Sequence, residues 1–366
     1  MKNIVKYLIY IITIDKCYTN KINFISYGNW GESNIYQKLV ANTIYNYTKK
    51  YNTSFNIVLG NNFYDNGVTS IYDSQWKTKY ESIYKNNNPW YVILGNHDYY
   101  GNISSQIDYT GQDNRWNMPY KNYVIKEKNL KIIMLDTQQL DPLCSNVSLN
   151  VTNYKNKKYI YKWLEKELST NEAFKIVVGH VGIYSISEYG NCNELVNNLF
   201  PILESYNIAL YLHSHTEILQ HNSYKNIDMI GCGTASKVSK YRDLKFSSDH
   251  IKYYTLNYGF CFHTIDIDDD NYYIKTQFIN ENGNILYEYT SHNIPYIDNS
   301  TSISALLFQY LLILLTIMCC LYCCYSLYLE QLKINANEMR YHHNIINREE
   351  FNTLQANNPL IPHNKL

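Results

Sequence analysis

Five short segments of the chain join a glycine-rich or polar turn to a side chain able to bind a metal ion or move a proton. They are Gly28-Asn29-Trp30-Gly31, Gly60-Asn61-Asn62-Phe63-Tyr64, Gly95-Asn96-His97-Asp98, Val177-Val178-Gly179-His180 and His213-Ser214-His215. Imidazole nitrogens and side-chain oxygens are metal donors, and imidazole also gives or takes a proton near neutral pH. Each segment follows a short apolar run, so each reads as a turn at the C-terminal end of a strand. Ligand sites gather at such ends in open α/β sheets. Five turns of this kind, in a chain with only 11 histidines, are hard to assign to chance.

The elements that must hold these turns are legible as an alternation. Apolar runs at 22–27, 56–59, 90–94, 131–135, 175–178, 209–212 and 227–230 read as strands. Helical patterns at 35–49, 72–84, 159–168 and 194–206 lie between them, and the mixture predicts an α/β domain. Residues 260–289 alternate in the strand manner and read as antiparallel closing strands. No internal repeat is visible. At 366 residues the chain can hold one large α/β domain or two ordinary ones. Its formal net charge of +0 gives no overall attraction to nucleic acid, which is not expected as a partner. With 40 tyrosines and an abundance of asparagine, no single surface Tyr or Asn is diagnostic.

Taken in order, the five turns resemble the motifs of purple acid phosphatases, a branch of the calcineurin-like, dinuclear metallophosphoesterases. That pattern is a GDxG-type turn, GDxxY, GNH followed by an acid, VxxH and GHxH. The likeness continues between the motifs, through 95–120 with Gly101-Asn102 and Arg115-Trp116-Asn117, and through 179–220 with Ser185-Ile186-Ser187-Glu188. It covers about residues 22–290 and implies a sandwich of two mixed β-sheets flanked by helices. In the family a ferric ion is held by the first Asp, a bridging Asp, the Tyr and the last His. A second metal takes the bridging Asp, the Asn of GNH, the His of VxxH and the first His of GHxH. Carried over, Tyr64, Asn96, His180, His213 and His215 match, whereas Asn29 and Asn61 stand where the family has Asp. Leu212 replaces the Gly of GHxH, Tyr99 a further His, and Val181-Gly182 a Tyr-Pro pair.

Each Asp→Asn change keeps the shape and removes a negative charge, and at Asn61 it turns a bridging carboxylate into a neutral amide. Trivalent iron needs anionic oxygen around it, so the first site is expected to be empty or weak. Asn96, His180 and His213 remain as three neutral donors that either hold one divalent ion, zinc or iron, weakly or, with His215, are inherited core residues without metal. The resemblance places His97 beside the phosphate as the catalytic group, to protonate the leaving group or to steady the phosphate. Phosphomonoester hydrolysis in this family runs on the metal pair, so activity is expected to be weak or absent. Cys144 and Cys192 stand where the mammalian-type enzymes form a disulfide, which implies that bridge here. Cys232 and Cys261, in Gly-Cys-Gly and Gly-Phe-Cys-Phe, are the second expected pair, although spacing alone does not fix connectivity.

Both ends of the chain carry apolar segments. Lys2 and Lys6, the apolar run 7–14, then Asp15 and Lys16 resemble a signal peptide over 1–20. Residues 303–329 hold no charge, and 27 residues exceed the ~20 that cross a bilayer as a helix. This predicts a type I membrane protein: a domain over 21–295, luminal or extracellular, a transmembrane helix over 303–329 and a cytoplasmic tail over 330–366. The polar tail is expected to be poorly ordered unless bound. Cys319, Cys320, Cys323 and Cys324 lie late in the span and read either as acylation sites near the cytosolic face or as small packing residues. Six N-x-S/T sequons, at Asn46, Asn52, Asn102, Asn146, Asn150 and Asn299, are compatible with a glycoprotein. A membrane span on a depleted metal site resembles the glideosome-associated membrane anchors of gliding parasites, which tether a myosin motor complex to an inner membrane. The expected function is therefore a scaffold or anchor in the ER or inner membrane complex, with the membrane and a motor complex or other proteins as partners. The alternative is a membrane-bound acid phosphatase hydrolysing phosphomonoesters with an altered metal site.

Overall fold

Strand β1 (Ile22–Tyr27) places Phe24 and Ile25 on opposite faces of a sheet, and both are fully buried, so the strand is covered on each side. The computed structural model describes residues 21–127, 130–140, 144, 157–170, 172, 174–240, 250–268, 271–291, 294–295 and 299–357. The expected signal segment 1–20 lies outside them, as do the sequons at Asn146 and Asn150. The chain divides into two compact units, 1–297 and 298–366.

In the first unit β1 is followed by α1 (Ile35–Tyr51), capped by Asn34, whose side chain accepts from Gln37 N at 2.9 Å. Then come β2 (Phe55–Val58), β3 (Trp90–Val92), α2 (Ile103–Asp108) and β4 (Trp116–Asn117). These are followed by β5 (Tyr123–Glu127), β6 (Leu130–Met134), α3 (Lys157–Leu168) and β7 (Phe174–Val178). The unit closes with α4 (Phe200–Ser205), β8 (Leu210–His213), β9 (Leu219–Tyr224), β10 (Ile227–Cys232), β11 (Ile251–Thr255), β12 (Gly259–Asp268), β13 (Asn271–Asn280), β14 (Ile285–Thr290) and β15 (Ile294–Pro295).

The strands form two mixed sheets. One runs β14-β13-β12-β1-β2-β3-β4, with β15 on β13, and the other runs β11-β9-β10-β8-β7-β6-β5. Strands β1, β2 and β3 are parallel, as are β6, β7 and β8, so each sheet gathers several C-terminal strand ends along one edge. Alternation along β6 and β7 splits their side chains. Ile132, Met134, Ile176 and Val178 join the core shared with Phe24, Ile57 and Val92 of the other sheet. Ile133 and Val177 point away and pack with Ile160, Leu164 and Leu168 of α3, and with Leu195 and Leu199.

Two expected helices contain a π-turn. Of 72–84 the helical part is 74–81, with Trp76–Glu81 as a π-turn, and Trp76 and Tyr80 turn inward onto Trp90 and Trp116. The 194–206 pattern is helical over 193–205, with a π-turn at Leu195–Leu199 leading into α4 and Pro201 at the junction unable to donate a backbone hydrogen bond.

The second unit is one helix, α5 (Asn299–Asn357), of 59 residues. It contains a stretch long and apolar enough to cross a membrane. Helix continues 28 residues past Leu329, from Glu330 to Asn357, over most of the stretch read as a tail. The reason is local. No Gly or Pro occurs between 299 and 357, Glu, Gln, Lys, Leu, Ala, Met and Arg recur after 330, and the first breaker is Pro359.

Candidate metal centre

The five turns meet where the parallel strand ends of the two sheets face each other. The contact is direct: His180 Nδ1 lies 2.6 Å from Leu59 O, Ser214 Oγ donates to the same carbonyl at 2.6 Å, and His180 Nε2 lies 3.0 Å from Asn96 Oδ1. Two glycines permit this approach. A Cβ on Gly95 would lie 2.3 Å from Asn61 N, and one on Gly60 2.6 Å from Gly95 N. Gly60, Asn29, Asn61 and His215 adopt positive φ (84°, 53°, 54° and 57°), a region Asn tolerates better than most residues.

The expected site residues come together as follows. Asn29 is fully buried, and its Nδ2 donates to Gly233 O at 2.9 Å. Asn61 Nδ2 donates to Asn29 Oδ1 at 3.0 Å and to the Tyr64 hydroxyl at 3.1 Å, while Asn61 Oδ1 accepts from His97 N at 3.0 Å. Two backbone groups thus decide which end of each amide is oxygen, since Gly233 O requires a donor and His97 N an acceptor. Burial raises the Tyr64 pKa well above 10, and nearby Glu217 adds to this against the Asn61 hydrogen bond, so Tyr64 is a neutral phenol. On the other side, His213 Nε2 lies 3.4 Å from Gln220 Nε2. His215 stacks at an angle on Tyr189, and its buried Nε2 has no hydrogen-bond partner among the described residues.

Burial keeps these imidazoles neutral: His180 falls well below the ordinary value, His213 to about 4 and His215 to about 3. His97 is less enclosed. Its ring lies 4.4 Å from that of Tyr64, its Nδ1 is 2.7 Å from Asp65 O, and burial lowers its pKa.

Three further residues belong to the site. Asp98 is fully buried and accepts from Asn62 N (3.0 Å), Gly95 N (2.8 Å) and Gln106 Nε2 (2.9 Å), tying the 61–64 and 95–98 turns together. Burial pushes its carboxyl up to about 6 against the pull of those donors. Lys237 reaches over the Tyr64 ring at 4.7 Å and pairs with Glu217 at 3.1 Å. Asp98 follows the GNH turn directly and Glu217 follows His215 by two residues, so both were visible in the sequence as neighbours of a motif. Lys237 comes from a loop without a pattern.

Both expected cysteine pairs are joined, Cys144 to Cys192 and Cys232 to Cys261. The sulfurs of Cys232 and Cys261 lie within 4.8 Å of a His263 nitrogen, which has the spacing of a metal group. They are disulfide sulfurs, not thiolates, and Ser26 Oγ already engages His263 Nε2 at 2.7 Å, so this cluster reads as a cross-link with a hydrogen-bonded histidine.

Comparison with known proteins agrees with this geometry. The family model for calcineurin-like phosphoesterases matches residues 33–218, which include every expected ligand position except Asn29. Human tartrate-resistant acid phosphatase type 5 is 29% identical over 264 residues, 64% of this chain and 80% of the relative. Purple acid phosphatase 4 of Arabidopsis thaliana is 32% identical over 234 residues, 59% of this chain and 68% of the relative. Among solved structures, GAP50, the anchor in the inner membrane complex of Plasmodium, aligns with a TM-score of 0.66 at 25% identity, covering 76% of this chain and 90% of that one. Two mixed sheets whose facing strand ends carry the five turns, and a family match across four of them, have one reading: the chain belongs to the calcineurin-like phosphoesterase family, among the homologues of the purple acid phosphatases.

Proposed function

We propose that this chain is a membrane-anchored scaffold built on a purple acid phosphatase fold whose dinuclear centre is lost. The observation that carries the reading is the direction of the Asn61 amide. At the position that bridges two metals in the family it presents N–H groups, to Asn29 and Tyr64, and an amide nitrogen has no lone pair free for a metal. Turning the amide over would offer oxygen to a metal but set NH₂ against His97 N–H, leaving two donors face to face. The residues present therefore do not fit a ferric–divalent pair. A single divalent ion, zinc or iron, would have Asn96, His180 and His213 as the three neutral donors of a weak site.

The rest of the reading follows the sequence. Residues 21–295 form the luminal or extracellular domain, 303–329 cross the membrane, and 330–366 face the cytosol, where the helical tail meets a protein partner. The likeness to GAP50 supports an anchor in an inner membrane system; a motor complex as the class of partner rests on the resemblance read from the sequence. The second reading, a membrane-bound phosphatase acting on phosphomonoesters, draws on the retained His97, His180, His213 and His215.

Metal analysis of the natively folded ectodomain, with a phosphomonoesterase assay at acid pH, separates the two. The scaffold reading expects at most one metal per chain and turnover about 10³-fold or more below an intact dinuclear enzyme. Two metals per chain with ordinary enzyme rates would establish the phosphatase instead.

A further inference from the structure

Cys319, Cys320, Cys323 and Cys324 are the free cysteines among the described residues, and all four are exposed on α5. At ~100° per residue they fall within an arc of about 140°, one face of the helix. Tyr322, Tyr325 and Tyr328 fill another arc at the same level and are exposed too. Tyrosines at such spacing settle at the headgroup layer of a bilayer, so they mark where this end of the span leaves the hydrocarbon. The length of the apolar stretch agrees. Its 27 residues extend about 40 Å as helix, roughly 10 Å more than a hydrocarbon core, so its last turns reach the interface. Glu330 and Lys333 follow within three turns of Cys324. Cys323 and Cys324 therefore lie at the interface, and Cys319 and Cys320 one turn deeper.

We propose that this face is S-acylated by long-chain fatty acyl groups. Four free thiols at the boundary between lipid and cytosol are within reach of a membrane acyltransferase, and the acyl chains they accept lie down into the leaflet beside the helix. The step balances without an oxidant. The thioester bond of a long-chain acyl-coenzyme A breaks, a new thioester forms at Cys Sγ, and the thiol proton leaves on coenzyme A. Cys323 and Cys324 carry most of the modification because they are nearest the aqueous donor. The inference rests on the membrane orientation proposed above, with the end of the span that bears the cysteines facing the cytosol. Its consequence is retention: each chain adds buried CH₂ groups to a single helix and ties the start of the tail to the membrane surface.

The test uses the full chain expressed in eukaryotic membranes. Free thiols are blocked without reductant, thioesters are cleaved with neutral hydroxylamine, and the released thiols are tagged with maleimide–polyethylene glycol so that each adds one step in mass. The disulfide cysteines stay silent because hydroxylamine does not cleave them. We expect hydroxylamine-dependent steps that fall by more than half in C323S/C324S, fall less in C319S/C320S and vanish when all four are serine. Protease protection of an epitope added after Leu366 reads the orientation separately. A cytosolic epitope with no hydroxylamine-dependent step overturns acylation and leaves the orientation standing. A protected epitope overturns the orientation and this inference with it. A dimer band sensitive to dithiothreitol but not to hydroxylamine shows that the cluster cross-links chains, and overturns acylation too.

Discussion

Asn29 and Asn61 are joined by a hydrogen bond that two carboxylates at the same 3.0 Å separation could not make. The amides form a chain from Gly233 O through Asn29 and Asn61 to His97 N, with a branch to Tyr64, in which donors meet acceptors without any cation. With Asp at both positions, like charges would crowd one buried site and one carboxyl would hold its proton unless a metal intervened. The N29D/N61D variant is therefore expected to lose on the order of 3 kcal/mol in EDTA and to regain stability when iron and zinc are added. Thermal unfolding of wild type and variant, each with EDTA or metal, reads this. A variant as stable as wild type in EDTA would mean that the amide chain contributes nothing.

At the scale of elements, β1 and β12 enclose a histidine that has no part in the candidate metal centre. His263 stacks on Phe24 at 4.5 Å and is bracketed by Ser26 Oγ at 2.7 Å and Thr276 Oγ1 at 2.9 Å. Burial lowers its pKa to about 3, against about 6.5 in an unfolded chain. Between those values the unfolded chain binds a proton that the folded one does not. The contribution is thus fully present above about pH 6.5 and is lost as pH falls toward 3. From pH 6.5 to 5 the loss is about 2 kcal/mol. Urea unfolding at pH 7 and pH 5 should show a smaller drop for H263Q than for wild type, and equal drops would show that His263 does not set this slope. The helices carry a different lesson. The α3 pattern survived as helix because Ile160, Leu164 and Leu168 all meet one sheet face. The 72–84 pattern is helical over 74–81, with a π-turn that sets Tyr80 against Trp90 and Trp116.

For the first unit as a whole, the question is what holds two sheets together at an edge that still carries a polar site. Cys232 lies on β10 of one sheet and Cys261 on β12 of the other, so their disulfide is a covalent staple between the layers. It closes a loop with a sequence separation of 29 and sits one residue from Gly233, whose carbonyl anchors Asn29. Replacing both cysteines with alanine should cost about 3 kcal/mol. The loss should appear in Tm before any change in secondary structure, and an unchanged Tm would show that apolar packing alone fixes the sheets.

The sequence by itself determined β1, β2, β3, β6, β7, β8 and β10, the five turns and the apolar span, while β4, β5, β9 and β11 escaped it. Each of these is a local matter of periodicity, glycine and side-chain type, and each holds before the chain closes on itself. It also determined that two carboxylates are missing. Only the tertiary structure decided what the missing charges left behind. That the Asn61 amide points its N–H groups inward depends on Gly233 and His97, residues brought beside it by folding, and no spacing along the chain encodes which way an amide faces. The same holds for Lys237 over Tyr64 and for the Asp98 carboxyl between two turns. Hydrogen-bond direction and charge pairing are properties of neighbours in space, whereas strand and helix patterns are properties of neighbours in sequence.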